Sequence, residues 1–96
     1  MGAREVKTVG QSLEDLLQHL GLDKKIKGCR VVELWPQIVG EKISQVTHAE
    51  RVTDRTLHVR VKGMAWRTEL LFQKPTILKR IEQVVGQDVV KEIRFF

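Results

Sequence analysis

Leu57-His58-Val59-Arg60-Val61-Lys62 decides the fold class. Apolar Leu57, Val59 and Val61 alternate with polar His58, Arg60 and Lys62, the period of a strand buried on one side only. Upstream, Glu50 to Thr53 can pair with it as the first arm of a hairpin turning at Asp54-Arg55. With Arg55 in the second turn position, a type I or bulged turn is expected rather than type I′. Downstream the period lengthens. Trp66, Leu70, Ile77, Ile81 and Val84 keep one helical face from Met64 to Val85, across Pro75. The unbroken register favours one kinked helix of roughly 33 Å at 1.5 Å per residue; two helices broken at Gln73-Lys74 are the alternative. Gly86 stops the helix, and Val89 to Phe95 reads as a closing strand with Val89, Ile93 and Phe95 on one face. A strand, a long helix and a strand imply a right-handed crossover.

Working upstream, residues 1–11 show little apolar periodicity and read as a flexible N-terminus ahead of one domain over 12–96. Ser12 is placed as an N-cap, with Asp15 completing an approximate capping box. Leu13, Leu16, Leu17 and Leu20 then form a helical stripe that Gly21 can end. Such a leucine face either docks on the body, the more frequent arrangement, or binds a partner. Asp23 is the next candidate cap. Val31, Val32, Trp35, Ile38 and Val39 follow helical spacing up to Gly40, but Pro36 removes an amide donor, so a kink or restart is expected near Trp35. Glu41 to Val46 reads as one more helical turn. The order is helix-helix-strand-strand-helix-strand: an α+β domain whose three-stranded sheet is packed by helices.

Ninety-six residues suit a single core. No apolar run approaches the roughly 18 residues of a membrane span, and the N-terminus lacks the apolar stretch of a secretory signal. Met1-Gly2 suggests myristoylation, but Val6 stands where that motif takes Ser or Thr. A lone Cys29 has no internal disulfide partner, which fits a reducing compartment and a cytoplasmic location. His19, His48, His58 and Cys29 lack metal-ligand spacing, and Gly40 and Gly63 stand alone rather than in a phosphate loop. No catalytic constellation is present, so the reading is a non-enzyme without cofactor, metal or small-molecule substrate.

Seventeen Lys and Arg against 12 Asp and Glu give a net charge of +5, which suits an anionic partner. Lys24, Lys25, Lys27 and Arg30 form an acid-free run at the start of a helix, where cations oppose the macrodipole. His58, Arg60 and Lys62 share the outward strand face, with Arg67 in the first turn of the next helix. These seven cations, Lys24, Lys25, Lys27, Arg30, Arg60, Lys62 and Arg67, are the candidate nucleic-acid contacts. Lys74, Lys79 and Arg80 form a further basic group. The outward face of the central strand shows no aromatic for base stacking, so binding is expected to be electrostatic and weakly sequence-selective. Trp35 and Trp66 read as core residues, whereas Phe72 and the terminal Phe96 are candidates for an exposed partner surface.

The ordered set of Trp35-Pro36-Gln37-Ile38-Val39-Gly40, Ile43, Val46-Thr47, the Leu57–Val61 strand and Trp66 to Leu70 resembles the bacterial DciA-like family, over roughly Ser12 to Phe95. Trp35, Val39 and Gly40 match its helix motif, Leu57, Val59 and Val61 its strand, Trp66, Glu69 and Leu70 the start of its long helix, and Ile93 and Phe95 its last strand. The resemblance implies a K-homology-like fold and an accessory factor of DNA replication. Such a factor binds the DnaB-type replicative helicase and single-stranded DNA and promotes helicase loading. The chain departs from the pattern at Arg55, where members often carry Gly, and it has no GxxG loop of the kind K-homology RNA binders use. Members often continue into a charged extension, so a chain stopping at Phe96 is expected to be a minimal form or a fragment. A K-homology-like RNA-binding factor, ribosome-associated, is the alternative reading.

Overall fold

The buried side of β2 (Thr56–Val61) organises everything else. Leu57, Val59 and Val61 are buried while Arg60 is exposed, as the alternation requires. The structure, a computed structural model, describes residues 9–96. Most of the segment expected to be flexible, residues 1–8, lies outside the described residues. β1 (Thr47–Thr53) pairs antiparallel with β2, and β3 (Glu92–Phe95) pairs parallel with it, giving the order β1-β2-β3. A parallel pair needs a long crossover. The helix α4 (Met64–Val85) supplies it. Ahead of the sheet come α1 (Val9–Leu20), α2 (Leu22–Val39) and the single turn α3 (Glu41–Ser44). The α+β class and the element order are those read from the sequence.

The core is a layer between the helices and one sheet face. Val31, Trp35, Ile38 and Val39 of α2 and Leu70, Ile77, Ile81 and Val85 of α4 meet Ala49, Leu57, Val59, Val61, Ile93 and Phe95 from the strands. Val89 and Val90 close it below β3. Trp66 is half-buried at its margin. The Trp35 to Thr47 pattern has a polar reason as well as an apolar one. The indole Nε1 of Trp35 donates to Thr47 Oγ1 at 2.9 Å, and that hydroxyl donates to the Ile43 carbonyl at 2.7 Å. One threonine therefore ties the end of α2, the turn α3 and the start of β1.

Several local expectations need correction. Ser12 lies inside α1, which starts at Val9, so it is not the N-cap. α2 begins at Leu22, directly after Gly21 with φ of 73°, and Asp23 sits in its first turn, where a negative charge complements the macrodipole. α2 does not restart near Trp35 but runs through Pro36 to Val39, whereas α4 is one helix through Pro75, as its register favoured. Proline's φ is itself helical, and Pro36 lies so near the C-terminus that the loss is one hydrogen bond in the last turns. Val84 is exposed and Val85 takes its place in the core.

The hairpin turn also differs. Asp54 and Arg55 both have positive φ, 51° and 62°, between Thr53 and Thr56, which pair across a two-residue loop. That is the type I′ pattern, whose twist matches the strands it joins. The Arg55 carbonyl accepts from the amides of Lys91 (2.7 Å) and Glu92 (3.2 Å), and these bonds hold an unfavourable residue in place. Finally, the leucine stripe does not dock on the body. Leu13, Leu16 and Leu20 are 55%, 53% and 57% exposed, among the described residues α1 touches α2 alone, and the molecule measures 61 × 22 × 18 Å.

Candidate nucleic-acid interface

With α2 and α4 packed on one side, no helix among the described residues covers the opposite sheet face. Strand register decides what stands on it, because residues paired across neighbouring strands project to the same side. Arg51 pairs with His58 and His58 with Arg94, so one row spans all three strands as Arg51-His58-Arg94. His48 pairs with Arg60 in the next row. Phe96 completes that row: its amide donates to the Val59 carbonyl (2.9 Å), and its own carbonyl accepts from the Val61 amide (2.7 Å). Lys62 continues β2 past the last pair, its amide donating to the Val46 carbonyl at 2.8 Å.

Arg51 reaches this face through a bulge. The register shifts between Ala49 and Arg51, leaving Glu50 as the extra residue. Strict alternation from buried Ala49 would turn Arg51 inward. The bulge instead sends Arg51 out and returns Val52, paired with Leu57, to the inner side. Arg94 is simpler, being the outward residue between buried Ile93 and Phe95. Both arginines were absent from the sequence-based candidates. Alternation in the last strand could have found Arg94; nothing in the sequence marks the bulge.

The electrostatics refine the expected stripe. Arg60 is not free of acids: its Nε donates to Glu50 Oε2 at 3.1 Å, and its guanidinium carbon stands 4.9 Å from the Phe96 ring centroid. Glu50 Oε1 also lies 3.6 Å from an Arg51 nitrogen. Among the described residues, Lys62 and Arg94 make no ion pair. At the far edge Glu92 accepts from Lys74 at 2.9 Å and from the Ile93 amide at 2.8 Å, which together hold its carboxyl below the ordinary value. The face therefore carries Arg51, Arg60, Lys62 and Arg94 with two imidazoles, against the single carboxylate of Glu50 in its central rows.

The other candidates stand elsewhere. Lys24, Lys25, Lys27 and Arg30 are exposed on the first half of α2, in the helical layer. Lys24 and Lys25 border a shallow depression with Asp54, Arg55 and Asp88, so this group is interspersed with acids. The Asp88 carboxyl is lowered first by its hydrogen bond from Lys91 and by that ammonium's charge, then by Arg55 and Lys24. Lys25 also reaches a groove of ≈ 690 Å³ between α2 and β1 that Arg51 borders from the strand side. Gly28 lets the two elements approach there, since a Cβ on it would lie 3.1 Å from the Val52 Cβ. Arg67 is half-buried on α4, its Nε enclosed and without a hydrogen-bond partner among the described residues. The structure thus joins Arg60 and Lys62 to two further arginines on one sheet face, while the α2 cluster stands on the helical layer and meets that set only where Lys25 and Arg51 border one groove.

Among the described residues no group of three His, Cys, Asp or Glu side chains could hold a metal ion, and no helix is long and apolar enough to cross a membrane. Large apolar side chains do remain outside. Met64 and Phe72 of α4 are 75% and 79% exposed, and Leu13, Leu16 and Leu20 of α1 are about half exposed.

A family model described as "Dna[CI] antecedent, DciA" matches residues 8–95. A UPF0232 protein of Corynebacterium glutamicum is 33% identical over 93 residues, covering 97% of this chain and 52% of the relative. One from Rhodococcus jostii is 30% identical over 91 residues (95% and 48%), and one from Mycobacterium tuberculosis 25% identical over 91 residues (95% and 49%). The chain therefore spans about half the length of these relatives.

Proposed function

The chain belongs to the DciA family, which is associated with loading of the DnaB helicase in DNA replication, and from that premise we propose that it is a non-enzymatic, cytoplasmic replication accessory factor that docks on the helicase and holds single-stranded DNA. One observation carries the DNA half: the uncovered row Arg51-His58-Arg94, extended by Arg60 and Lys62, places four cations on one sheet face. Phosphates are attracted to such a surface whatever the base sequence. The exposed apolar residues Met64, Phe72 and the α1 leucines support a protein partner. The mechanism is mass action: binding the helicase state that admits DNA raises the population of that state.

Two experiments test this reading. In a pull-down against the cognate replicative helicase at moderate salt, capture is expected; its absence rejects the adaptor role. In salt titrations of single-strand affinity, each phosphate contact adds roughly 0.7 to the logarithmic slope. Replacing Arg51 and Arg94 together with Ala should lower that slope by about 1.4. An unchanged slope would move the site, with Lys24 to Arg30 next in line. Tighter binding to RNA than to DNA of equal length would favour the RNA-binding alternative.

A further inference from the structure

We propose that Arg60 and Phe96 form a stacking step for an unpaired nucleobase, so that the sheet face binds bases as well as phosphates. This deepens the reading above and rests on it. Phe96 is fixed beside β2 by two backbone hydrogen bonds. Phe95 points into the core, so the Phe96 ring lies on the open face, where the Arg60 guanidinium stands 4.9 Å from its centroid. Glu50 then pins the guanidinium through Nε at 3.1 Å, while the Arg60 side chain stays 63% exposed.

This arrangement is ill suited to phosphate. The Glu50 carboxylate offsets the arginine's charge and occupies one of its donors, and the Phe96 ring stands against the guanidinium. What remains is a flat, exposed cation held rigidly against an aromatic. Unstacked bases are bound on such surfaces, on aromatic rings and on guanidinium planes alike. The neighbours fit the same ligand. His48 pairs directly across from Arg60, and His58 lies two residues along β2 on the same face, roughly 7 Å away at the rise of a strand. Arg51 and Arg94 flank His58 on either side, about 10 Å apart across two strand spacings, and are left for phosphates. Bases in a duplex are paired and stacked, so the ligand is single-stranded nucleic acid with accessible bases.

The test is fluorescence anisotropy of the full chain with labelled oligonucleotides of equal phosphate count: a thymidine strand, an abasic strand and a duplex. Stacking of one base predicts that the thymidine strand binds roughly 5- to 150-fold more tightly than the abasic one. Phe96→Leu should close that gap, and Phe96→Trp should keep it open. Circular dichroism of each variant establishes that it is folded. Equal affinity for the thymidine and abasic strands, with binding present, overturns the stacking step and leaves the electrostatic reading standing. No binding of any strand overturns both. An RNA strand showing the same dependence on its bases supports the stacking step while moving the ligand from DNA to RNA.

Discussion

Replacing Thr47 with Val removes one oxygen and disconnects two partners at once. The Trp35 indole N–H, on a side chain only 2% exposed, loses its acceptor at 2.9 Å; the Ile43 carbonyl loses one of its two donors, the one at 2.7 Å. A buried polar group left without a partner costs about 1–3 kcal/mol. The indole is enclosed and takes the full cost, whereas the Ile43 carbonyl keeps the Val46 amide as a donor at 3.1 Å. The cost is therefore that of one buried donor, about 1–3 kcal/mol. Val and Thr are both β-branched and favourable in strands, so the backbone preference of β1 does not offset it. For a domain of this size, each kcal/mol moves the melting temperature by roughly 4–8 °C, which places the variant about 5–20 °C below the parent.

Urea titration followed by circular dichroism measures this directly. Thr47→Ser, which keeps the hydroxyl, should lose less than about 1 kcal/mol. A double-mutant cycle with Trp35→Phe isolates the indole bond, because Thr47→Val should cost less once the donor is gone. If Thr47→Val lies within about 0.5 kcal/mol of the parent, the hydroxyl is not the tie between α2 and β1, and the polar account of the Trp35 to Thr47 pattern fails.

Arg55→Gly should stabilise the chain by about 1 kcal/mol, since Arg55 sits at φ 62°, where an L side chain costs roughly 1–2 kcal/mol; a loss of stability in urea would refute the type I′ assignment. Leu16→Gln should change stability by less than about 0.5 kcal/mol because Leu16 is more than half exposed, whereas a docked leucine would cost several-fold more. Acid should weaken the loop leading into β3. The Asp88 and Glu92 carboxyls are held below their ordinary values of 3.8 and 4.5, chiefly by hydrogen bonds from Lys91 and Lys74. A carboxylate depressed by folding contributes stability that is present above its ordinary value and lost as pH falls through the folded one. Stability should therefore decline below about pH 4.5, and Lys74→Met should flatten the decline; an identical acid profile in that variant would count against the Glu92 pair. Both carboxylates are largely exposed, so high salt should shrink the difference.

The parts of the fold legible in the sequence are those where burial sets a period. Leu57, Val59 and Val61 gave the central strand, and Leu70, Ile77 and Ile81 the long helix, because each face must meet the same apolar layer. The illegible parts depend on contacts made elsewhere. Pro36 continues α2 because Trp35, Ile38 and Val39 are held by the core on either side of it. Arg55 adopts positive φ because its carbonyl is bound by two amides from the start of β3, a partnership local propensity does not register. The leucine stripe of α1 is amphipathic in sequence, yet amphipathicity does not say whether the apolar side meets this chain or another surface.

The candidate site divides along the same line. Arg60 and Lys62 were legible because they alternate with core residues on the same strand, so the argument that placed Val59 and Val61 inward placed them outward. Arg51 was not, since one unpaired residue at Glu50 reverses the side on which every earlier residue of β1 stands. That bulge also puts the Glu50 carboxylate within reach of both Arg51 and Arg60. The same irregularity that adds a cation to the face therefore supplies the acid that orders its neighbour. Deleting Glu50 would test this coupling: Arg51 would then follow Ala49 directly, and strict alternation would keep it on the open face, still paired with His58. The face would keep its phosphate contacts while Arg60 loses its anchor, so the salt slope of single-strand binding should hold while the preference for strands with bases weakens; a fall in the slope would refute the coupling.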